Sequence, residues 1–146
     1  MRTYQIHLIE NEVAEYYFGR ERMFYDLFAE YYQVSGKLKD IIRKQIEYIT
    51  KPIPVLHIHH LLGQAFSKKK DVIKEDKIYK YGGSDLYNGV ELFIESKMLR
   101  LNAWGNYDSE SAFLEVLRKY DGRLLAIDLE HERFGWLKPI KERKFV

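Results

Sequence analysis

Cysteine is absent from this chain of 146 residues. The absence excludes a disulfide framework, a thiolate metal site and a cysteine nucleophile. No run of eighteen apolar residues occurs either, so the sequence predicts no membrane span. The apolar stretch at the N-terminus is short and runs into Glu10 and Glu12, which argues against a secretory signal peptide. We therefore expect a cytoplasmic protein.

A strong charge of one sign is also missing, because the formal net charge is only +2. Domains that bind nucleic acids usually concentrate basic residues on one face. The two most basic segments, Lys68–Lys70 and Lys138–Lys144, both have acidic residues nearby, so we expect no direct binding of nucleic acid. The hydrophobic content of 46% is typical of a globular protein, and the length predicts a single domain over residues 1–146.

Aromatic residues, in contrast, are plentiful, and nine of the twenty-two lie before residue 33. They are concentrated in Asn11–Tyr32, which has more large apolar side chains than one buried helix face needs. A helix here would place Val13 and Tyr17 one above the other, with Ala14 and Phe18 on a neighbouring stripe. Two interpretations remain open: a helix that is buried on most sides, or a helix with a partner-binding face.

Gly19 divides this segment into two parts. Glycine inside a helix costs about 1 kcal/mol relative to alanine, so Gly19 is predicted to cap the first part or to kink it. Arg20 would then project at the corner beside Tyr17, where a guanidinium can hold a carboxylate or carbonyl of a partner. The alternative is a solvated surface arginine. In the second part, one apolar face is formed by Phe24, Leu27, Phe28 and Tyr31, with Tyr25 and Tyr32 off it.

The elements around this segment follow from local patterns. Thr3–Ile9 alternates as a strand, with Gln5 and His7 on the face opposite its apolar residues, and Asn11 is predicted to be the N-cap of the first helix. Lys37–Ile49 is predicted to be an amphipathic helix. Its apolar side comprises Leu38, Ile42, Gln45, Ile46 and Ile49, and its polar side Lys39, Arg43 and Glu47.

The remainder of the chain begins with a short helix and turns to strands. His57–Phe66 is predicted to be helical, and the charged, irregular segment Ser67–Lys77 to be a surface loop or a short helix end. Ser96-Lys97 is predicted to form a tight hairpin. The other predicted elements are strands at Lys77–Tyr81, Gly89–Glu95, Met98–Trp104, Arg123–Glu130 and Phe134–Leu137, a turn at Gly82-Gly83-Ser84, and a helix at Ser109–Tyr120. This order predicts an α+β fold, in which several helices pack against an antiparallel or mixed sheet.

Two groups of residues have the composition of a chemical site. The first is His57, His59 and His60. On a helix, His57 and His60 would share one face and His59 would point elsewhere, so zinc would need a further ligand. The second is Asp128, Glu130 and Glu132, which share one side of a strand and have His131 between them. They resemble an acid–base or divalent-metal cluster, but the solvated side of a half-buried strand explains every one of these residues. A small enzyme using this second group is the alternative function.

Four blocks of sequence resemble one known family. They are YYFGRE at Tyr16–Glu21, QIEYITKPIPVLH at Gln45–His57, AFLEVLRK at Ala112–Lys119 and FGWLKPIKERKFV at Phe134–Val146. These blocks resemble the SirA family, sporulation inhibitors of replication from Bacillus-type bacteria. They occur in the same order along the chain, and none lies between about Gly63 and Ala103.

The resemblance implies a non-enzymatic inhibitor that needs no cofactor or metal. Proteins of this type bind the N-terminal domain (domain I) of the replication initiator DnaA and block initiation as a cell commits to sporulation. The implied mechanism is occlusion of a surface that DnaA uses for self-association and for partner proteins, by a protein that is monomeric when free. The implied contact residues on the first helices are Val13, Tyr17, Phe18, Arg20, Gln45, Glu47 and Tyr48.

Overall fold

One antiparallel sheet with helices on both faces organises the chain. The computed structural model describes residues 1–82 and 87–138, and within them eight strands and five helices are formed. The strands are β1 (Arg2–Ile9), β2 (Thr50–Lys51), β3 (Val72–Glu75), β4 (Ile78–Tyr81), β5 (Gly89–Ile94), β6 (Leu99–Trp104), β7 (Arg123–Asp128) and β8 (Arg133–Trp136). The helices are α1 (Asn11–Tyr16), α2 (Arg22–Tyr31), α3 (Gly36–Ile49), α4 (Val55–Phe66) and α5 (Asp108–Leu117).

The sheet confirms the α+β prediction and settles its type as antiparallel. The strand order is β3-β4-β5-β6-β1-β7-β8, and β2 pairs with the end of β1. Residue Ile6 of β1 lies between Leu99 of β6 and Ala126 of β7. The first strand of the chain therefore lies inside the sheet, and strands from the second half enclose it.

Two hydrophobic clusters lie on opposite faces of this sheet. Helices α4 and α5 cover one face, where Ile58 and Phe113 pack on the strands. Helices α1, α2 and α3 cover the β1–β7–β8 end of the other face, where Phe24 and Phe28 are buried. Because helices cover both faces of β1, consecutive residues of this strand are buried and do not alternate between core and solvent. The prediction that His7 lies on the face opposite Ile6 and Leu8 is confirmed, and on that face His7 is buried and stacks on Phe28 at 4.2 Å between ring centroids.

Several local predictions are confirmed. Gly19 separates α1 from α2 and adopts a φ of 81°, a value that glycine reaches without a Cβ penalty. The Ser96-Lys97 hairpin forms, with the Glu95 amide donating to the Met98 carbonyl at 3.2 Å. In α5, Phe113 and Leu117 are buried as its periodicity predicts. Local spacing and turn chemistry were sufficient at these sites because their patterns are unambiguous.

Other local predictions are wrong. The segment predicted as an irregular loop contains β3, whose side chains are almost all exposed. In this edge strand only Val72 is partly buried, so its sequence lacks the alternation of apolar and polar residues by which a strand is predicted. Asn11 is the first residue of α1 and not its N-cap; Glu10 occupies that position without a side-chain hydrogen bond to the helix. Tyr25 is buried against Phe134 of β8, although the helix periodicity placed it off the apolar face.

The predicted buried side of helix α3 is confirmed at three positions and wrong at two. Ile42 is buried, with Ile46 and Ile49 partly buried beside it. Leu38 and Gln45, predicted on the same apolar side, are exposed. The helix contacts α2 and the end of the sheet only through a narrow line of side chains. Its predicted apolar side is wider than this contact, so the residues at the margin of that side remain exposed.

Two predicted features fall partly or wholly outside the described residues. Gly82 has a φ of 88°, as a turn requires, but Gly83 and Ser84 are outside them. Of the basic segment Lys138–Lys144, only Lys138 is within them. In the part of the chain that the structure describes, no helix is long and apolar enough to cross a membrane.

Candidate partner-binding surface

The corner between α1 and α2 is connected to β8 through hydrogen bonds to Glu21. One carboxylate oxygen of Glu21 accepts hydrogen bonds from the Gly19 amide at 3.0 Å and from the Trp136 indole at 3.3 Å. Burial raises the pKa of Glu21, but the hydrogen bonds from the backbone amides and the indole outweigh burial and leave the pKa lowered. The corner is thereby tied to β8 while its outer side chains face the solvent.

Arg20 lies across the aromatic rings of this corner. Its guanidinium donates to the Tyr16 carbonyl at 3.1 Å and sits 5.4 Å and 5.2 Å from the ring centres of Tyr16 and Tyr17. Arg20 therefore lies at the corner beside Tyr17 as predicted, and attraction to the two rings folds its side chain back over them. The group remains exposed and rests on the two rings in the free protein.

The exposed aromatic residues of the corner are Tyr16, at 70% exposure, and Phe18, at 40%. Tyr17 and Val13 are partly buried against the core cluster of this face, and the Tyr17 ring packs edge-on against Phe24 at 5.6 Å. The expected patch centred on Tyr17 is thus displaced toward Tyr16 and Phe18. The sequence signal for Tyr16 was the run of three consecutive aromatic residues, since a helix cannot bury three successive side chains on one face.

Helix α3 presents a second apolar surface. Leu38, Ile41, Gln45 and Tyr48 recur at i, i+3, i+7 and i+10, so they form one stripe along the helix. All four are exposed, and Tyr48 reaches 82%. Gln45 and Tyr48 were predicted as contacts, whereas Leu38 and Ile41 were not. The sequence could have indicated Leu38 and Ile41, because α3 contains more large aliphatic residues than its one buried side requires.

Glu47 lies on a different side of α3 from this stripe. Its carboxylate pairs with Arg43 at 3.1 Å and with Lys97 of the β5–β6 hairpin at 3.9 Å. The end of α3 and the start of α1 meet elsewhere, where the Glu10 amide donates to the Ile49 carbonyl at 2.8 Å. The structure therefore brings the two helices together but separates Glu47 from Gln45 and Tyr48.

The acidic group around Asp128 is not an open cluster. Asp128 is 1% exposed, and its carboxylate accepts hydrogen bonds from Arg133 at 2.8 Å and from the His131 ring at 2.9 Å. Strand β7 ends at Asp128, so Glu130 and Glu132 lie in an exposed turn and share no strand face with it. The interpretation of Asp128 as solvated is wrong, because its carboxylate is buried within the β7–β8 turn.

The three histidines of α4 also occupy separate environments. His59 lies 3.2 Å from the Tyr79 hydroxyl, while the His57 ring packs edge-on against Tyr120. Throughout residues 1–82 and 87–138, no three His, Asp or Glu side chains come together in a way that could hold a metal ion.

We expect Arg133→Met to destabilise the protein by about 2 kcal/mol at pH 7. Removing one partner of a buried pair usually costs about 3–5 kcal/mol, and the loss is smaller here because the Arg133 side chain is half exposed. The effect should depend on pH in one direction. Burial raises the pKa of Asp128. The hydrogen bonds from Arg133 and from the ring and amide of His131 have a larger effect in the opposite direction, so the pKa is lowered overall. Because the folded-state pKa is lowered, this stabilisation is complete above about pH 4 and is lost as the pH falls through that lowered pKa.

Urea unfolding of both proteins at pH 7 and pH 3 measures this difference. The gap in unfolding free energy between wild type and Arg133→Met should shrink at the lower pH. Arg118→Met, which removes an exposed partner of Glu115, is the matched control and should change stability little at either pH. An equal gap at both values would show that Arg133 acts through packing and not through its charge.

The sequence as a whole was then compared with known proteins. The family model described as "Sporulation inhibitor of replication protein SirA" matches residues 2–141. The chain belongs to the SirA family. The match runs through residues 63–103, where no resembling block was identified from the sequence.

A curated relative supports the same assignment. The sporulation inhibitor of replication protein SirA of Bacillus subtilis (strain 168) is 39% identical over 147 residues, and the alignment covers 99% of each chain. The family is named for a regulatory inhibitor of replication in sporulation and not for a catalysed reaction. The resemblance found from the four sequence blocks is confirmed.

Proposed function

We propose that this protein inhibits the initiation of DNA replication during sporulation by binding the N-terminal domain of DnaA in the cytoplasm. The observation that carries the proposal is the distribution of exposed apolar side chains. Of the twelve large ones among the described residues, seven fall between residues 16 and 48. Large apolar groups left in solvent on one helical layer are characteristic of a protein-binding surface.

The α1–α2 corner and the α3 stripe would have different roles in this interface. Tyr16 and Phe18 supply aromatic contact area, while Arg20 supplies a positioned cation beside them. Along α3, Tyr48 would act as the anchor, with Ile41 and Leu38 excluding water beside it. Glu47 is proposed to lie outside the contact, because it faces the β5–β6 hairpin.

Occlusion is the mechanism that these surfaces favour. A helical layer that covers the N-terminal domain of DnaA competes by mass action with whatever else uses that domain, including further copies of DnaA. Such competition needs neither nucleotide nor metal. It predicts that inhibition rises with the concentration of this protein and is relieved by excess isolated N-terminal domain.

Calorimetric titration of this protein with the isolated N-terminal domain of DnaA tests the proposal. We expect saturable binding of the two folded proteins, and competition with self-association of that domain. Substitution of Leu56, an exposed residue of α4 on the opposite face of the sheet, should leave the binding unchanged. The absence of heat and of any complex in gel filtration would refute DnaA as the partner while leaving the family assignment intact.

Arg20 is expected to anchor the partner and not merely to steer it. Because its guanidinium already rests on Tyr16 and Tyr17, little rotamer freedom remains to be lost on binding. We therefore expect Arg20→Ala to accelerate dissociation from DnaA roughly tenfold or more, with a small effect on association. Arg20→Lys should fail to restore the wild-type rate, because an ammonium lacks the planar fork of donors.

Stopped-flow or surface-binding kinetics at two salt concentrations separates these roles. A rim charge that only steers would slow association and reduce its salt dependence when removed. Arg22 is exposed, pairs with Asp26 at 3.7 Å and lies over the Tyr25 ring at 5.6 Å, so it provides a matched control as Arg22→Ala. A wild-type dissociation rate for Arg20→Lys would rule out the bidentate contact.

A further inference from the structure

Helix α3 carries two lysines beside its exposed apolar stripe. Lys37 and Lys44 are seven residues apart, so they lie almost one above the other, about 10 Å apart along the helix axis. Ile41 follows Lys37 at i+4 and precedes Lys44 at i−3, and Tyr48 follows Lys44 at i+4. All four side chains are exposed. A row of positive charge therefore borders the apolar stripe on one side.

The two acidic residues of α3 do not compensate this row. Asp40 and Glu47 both pair with Arg43, at 3.7 Å and 3.1 Å, on a different side of the helix from the stripe. Among the residues that the structure describes, no carboxylate forms an ion pair with Lys37 or Lys44. The charge of the two lysines therefore remains available to a partner.

The place of Lys37 in the helix supports the same inference. It lies in the first turn of α3, where the peptide dipoles make positive charge unfavourable, and that turn contains no acidic residue. The side chain of Ser35, at the N-cap, makes no hydrogen bond to the helix either. Neither an ion pair nor the helix dipole favours a lysine here, so a negative charge from outside the chain would stabilise it.

We propose that the partner surface facing α3 is an apolar patch bordered by acidic residues, and that Lys37 and Lys44 steer it onto the stripe. The inference rests on the proposed binding to DnaA and assigns a charge to the surface of its N-terminal domain that α3 covers. Tyr48 and Ile41 would exclude water at the centre, while the lysines meet carboxylates at the solvated margin. Such marginal charges accelerate association more than they slow dissociation, and salt screens their effect.

Association kinetics with the isolated N-terminal domain of DnaA test this inference. Lys37→Glu combined with Lys44→Glu replaces two positive charges by two negative ones beside the stripe. We expect the association rate constant to fall roughly tenfold or more at low ionic strength, and the difference from wild type to shrink as salt is added. The dissociation rate should change little, because the apolar contacts remain.

Lys68→Glu combined with Lys70→Glu is the matched control. These two lysines are exposed and directly precede β3, the edge strand that three other strands separate from β1. The control changes the net charge of the protein by the same amount but leaves the border of the stripe intact. It should associate at nearly the wild-type rate. Equal slowing in both double variants would show that net charge acts without regard to position, and it would overturn the inference.

The melting temperature separates steering from a loss of folding. A glutamate at position 37 complements the helix dipole, so the α3 double variant should melt at or above the temperature of the wild type. Lys37→Gln combined with Lys44→Gln removes both charges and adds none, and it should slow association by a smaller factor, roughly threefold. This second variant tests the inference whatever the stability of the first.

Two further outcomes would contradict the proposal in different ways. Wild-type association rates in both α3 double variants, with binding retained, would overturn the acidic border and leave DnaA as the partner. Absence of binding by the wild-type protein would refute the proposed function and this inference together.

Discussion

Ile42→Asp is expected to unfold the protein. Ile42 is 3% exposed and is the one residue of α3 that is fully buried. An aspartate at this position would place an unpaired charge between α3, α2 and the sheet. Such a substitution costs more than about 4 kcal/mol, which is comparable with the whole stability of a domain of this size.

The adjacent residue supplies an unusually close control. Ile41 is 53% exposed and belongs to the outer stripe of the same helix. Ile41→Asp should therefore leave a cooperatively melting protein, although it should weaken DnaA binding. Thermal denaturation of both variants, followed by circular dichroism, tests the orientation of α3. Unfolding of Ile41→Asp together with survival of Ile42→Asp would show that the helix is rotated relative to this structure.

Tyr48→Ala is expected to abolish most DnaA binding while leaving the fold intact. Its side chain is 82% exposed, so its removal withdraws almost no packing from the core. An aromatic anchor at the centre of an interface contributes about 2 kcal/mol or more, or roughly thirtyfold in affinity. Calorimetric binding measures the loss, and an unchanged melting temperature shows that the variant is folded.

Tyr17→Ala provides an informative contrast. Tyr17 contacts Phe24 and is partly buried, so its truncation should reduce binding and lower the melting temperature together. Leu56→Ala, on the opposite face of the sheet, should alter neither property substantially. Wild-type affinity in Tyr48→Ala would exclude the α3 stripe from the interface and leave the α1–α2 corner as the candidate surface.

The orientation of α3 illustrates why a sequence pattern left the interface unresolved. Leu38, Ile41, Ile42, Ile46 and Ile49 cover more of the helix circumference than one contact can bury. Periodicity reveals that excess, but it contains no information about which side meets the sheet. That choice depends on where α2 and the end of β1 lie in space, which the pattern within α3 does not contain. Ile42 is buried and Ile41 exposed only because the neighbouring elements lie where they do.

A similar limit applied to β1 and to Asp128. The alternation of β1 placed His7 on the face opposite Ile6 and Leu8, but it did not reveal that α2 covers that face and buries His7. Asp128 was placed on a solvated face because Glu130 and Glu132 follow at the same spacing. The turn that brings Arg133 back onto Asp128 removes it from solvent. In both cases, the residue is buried by another segment of the chain, and the alternation within a single strand gives no information about that segment.

The sequence by itself determined the α+β class, the break at Gly19, the hairpin at Ser96-Lys97 and membership of the SirA family. These features depend on backbone preferences, on local spacing or on short blocks of sequence that resemble the family, all of which are contained in consecutive residues. Only the tertiary structure decided that Tyr16 and Tyr48 are exposed while Tyr17 and Tyr25 are covered. Exposure is a property of what packs against a side chain, and for Tyr25 the covering residues, Leu129 and Phe134, lie more than one hundred residues away in the sequence.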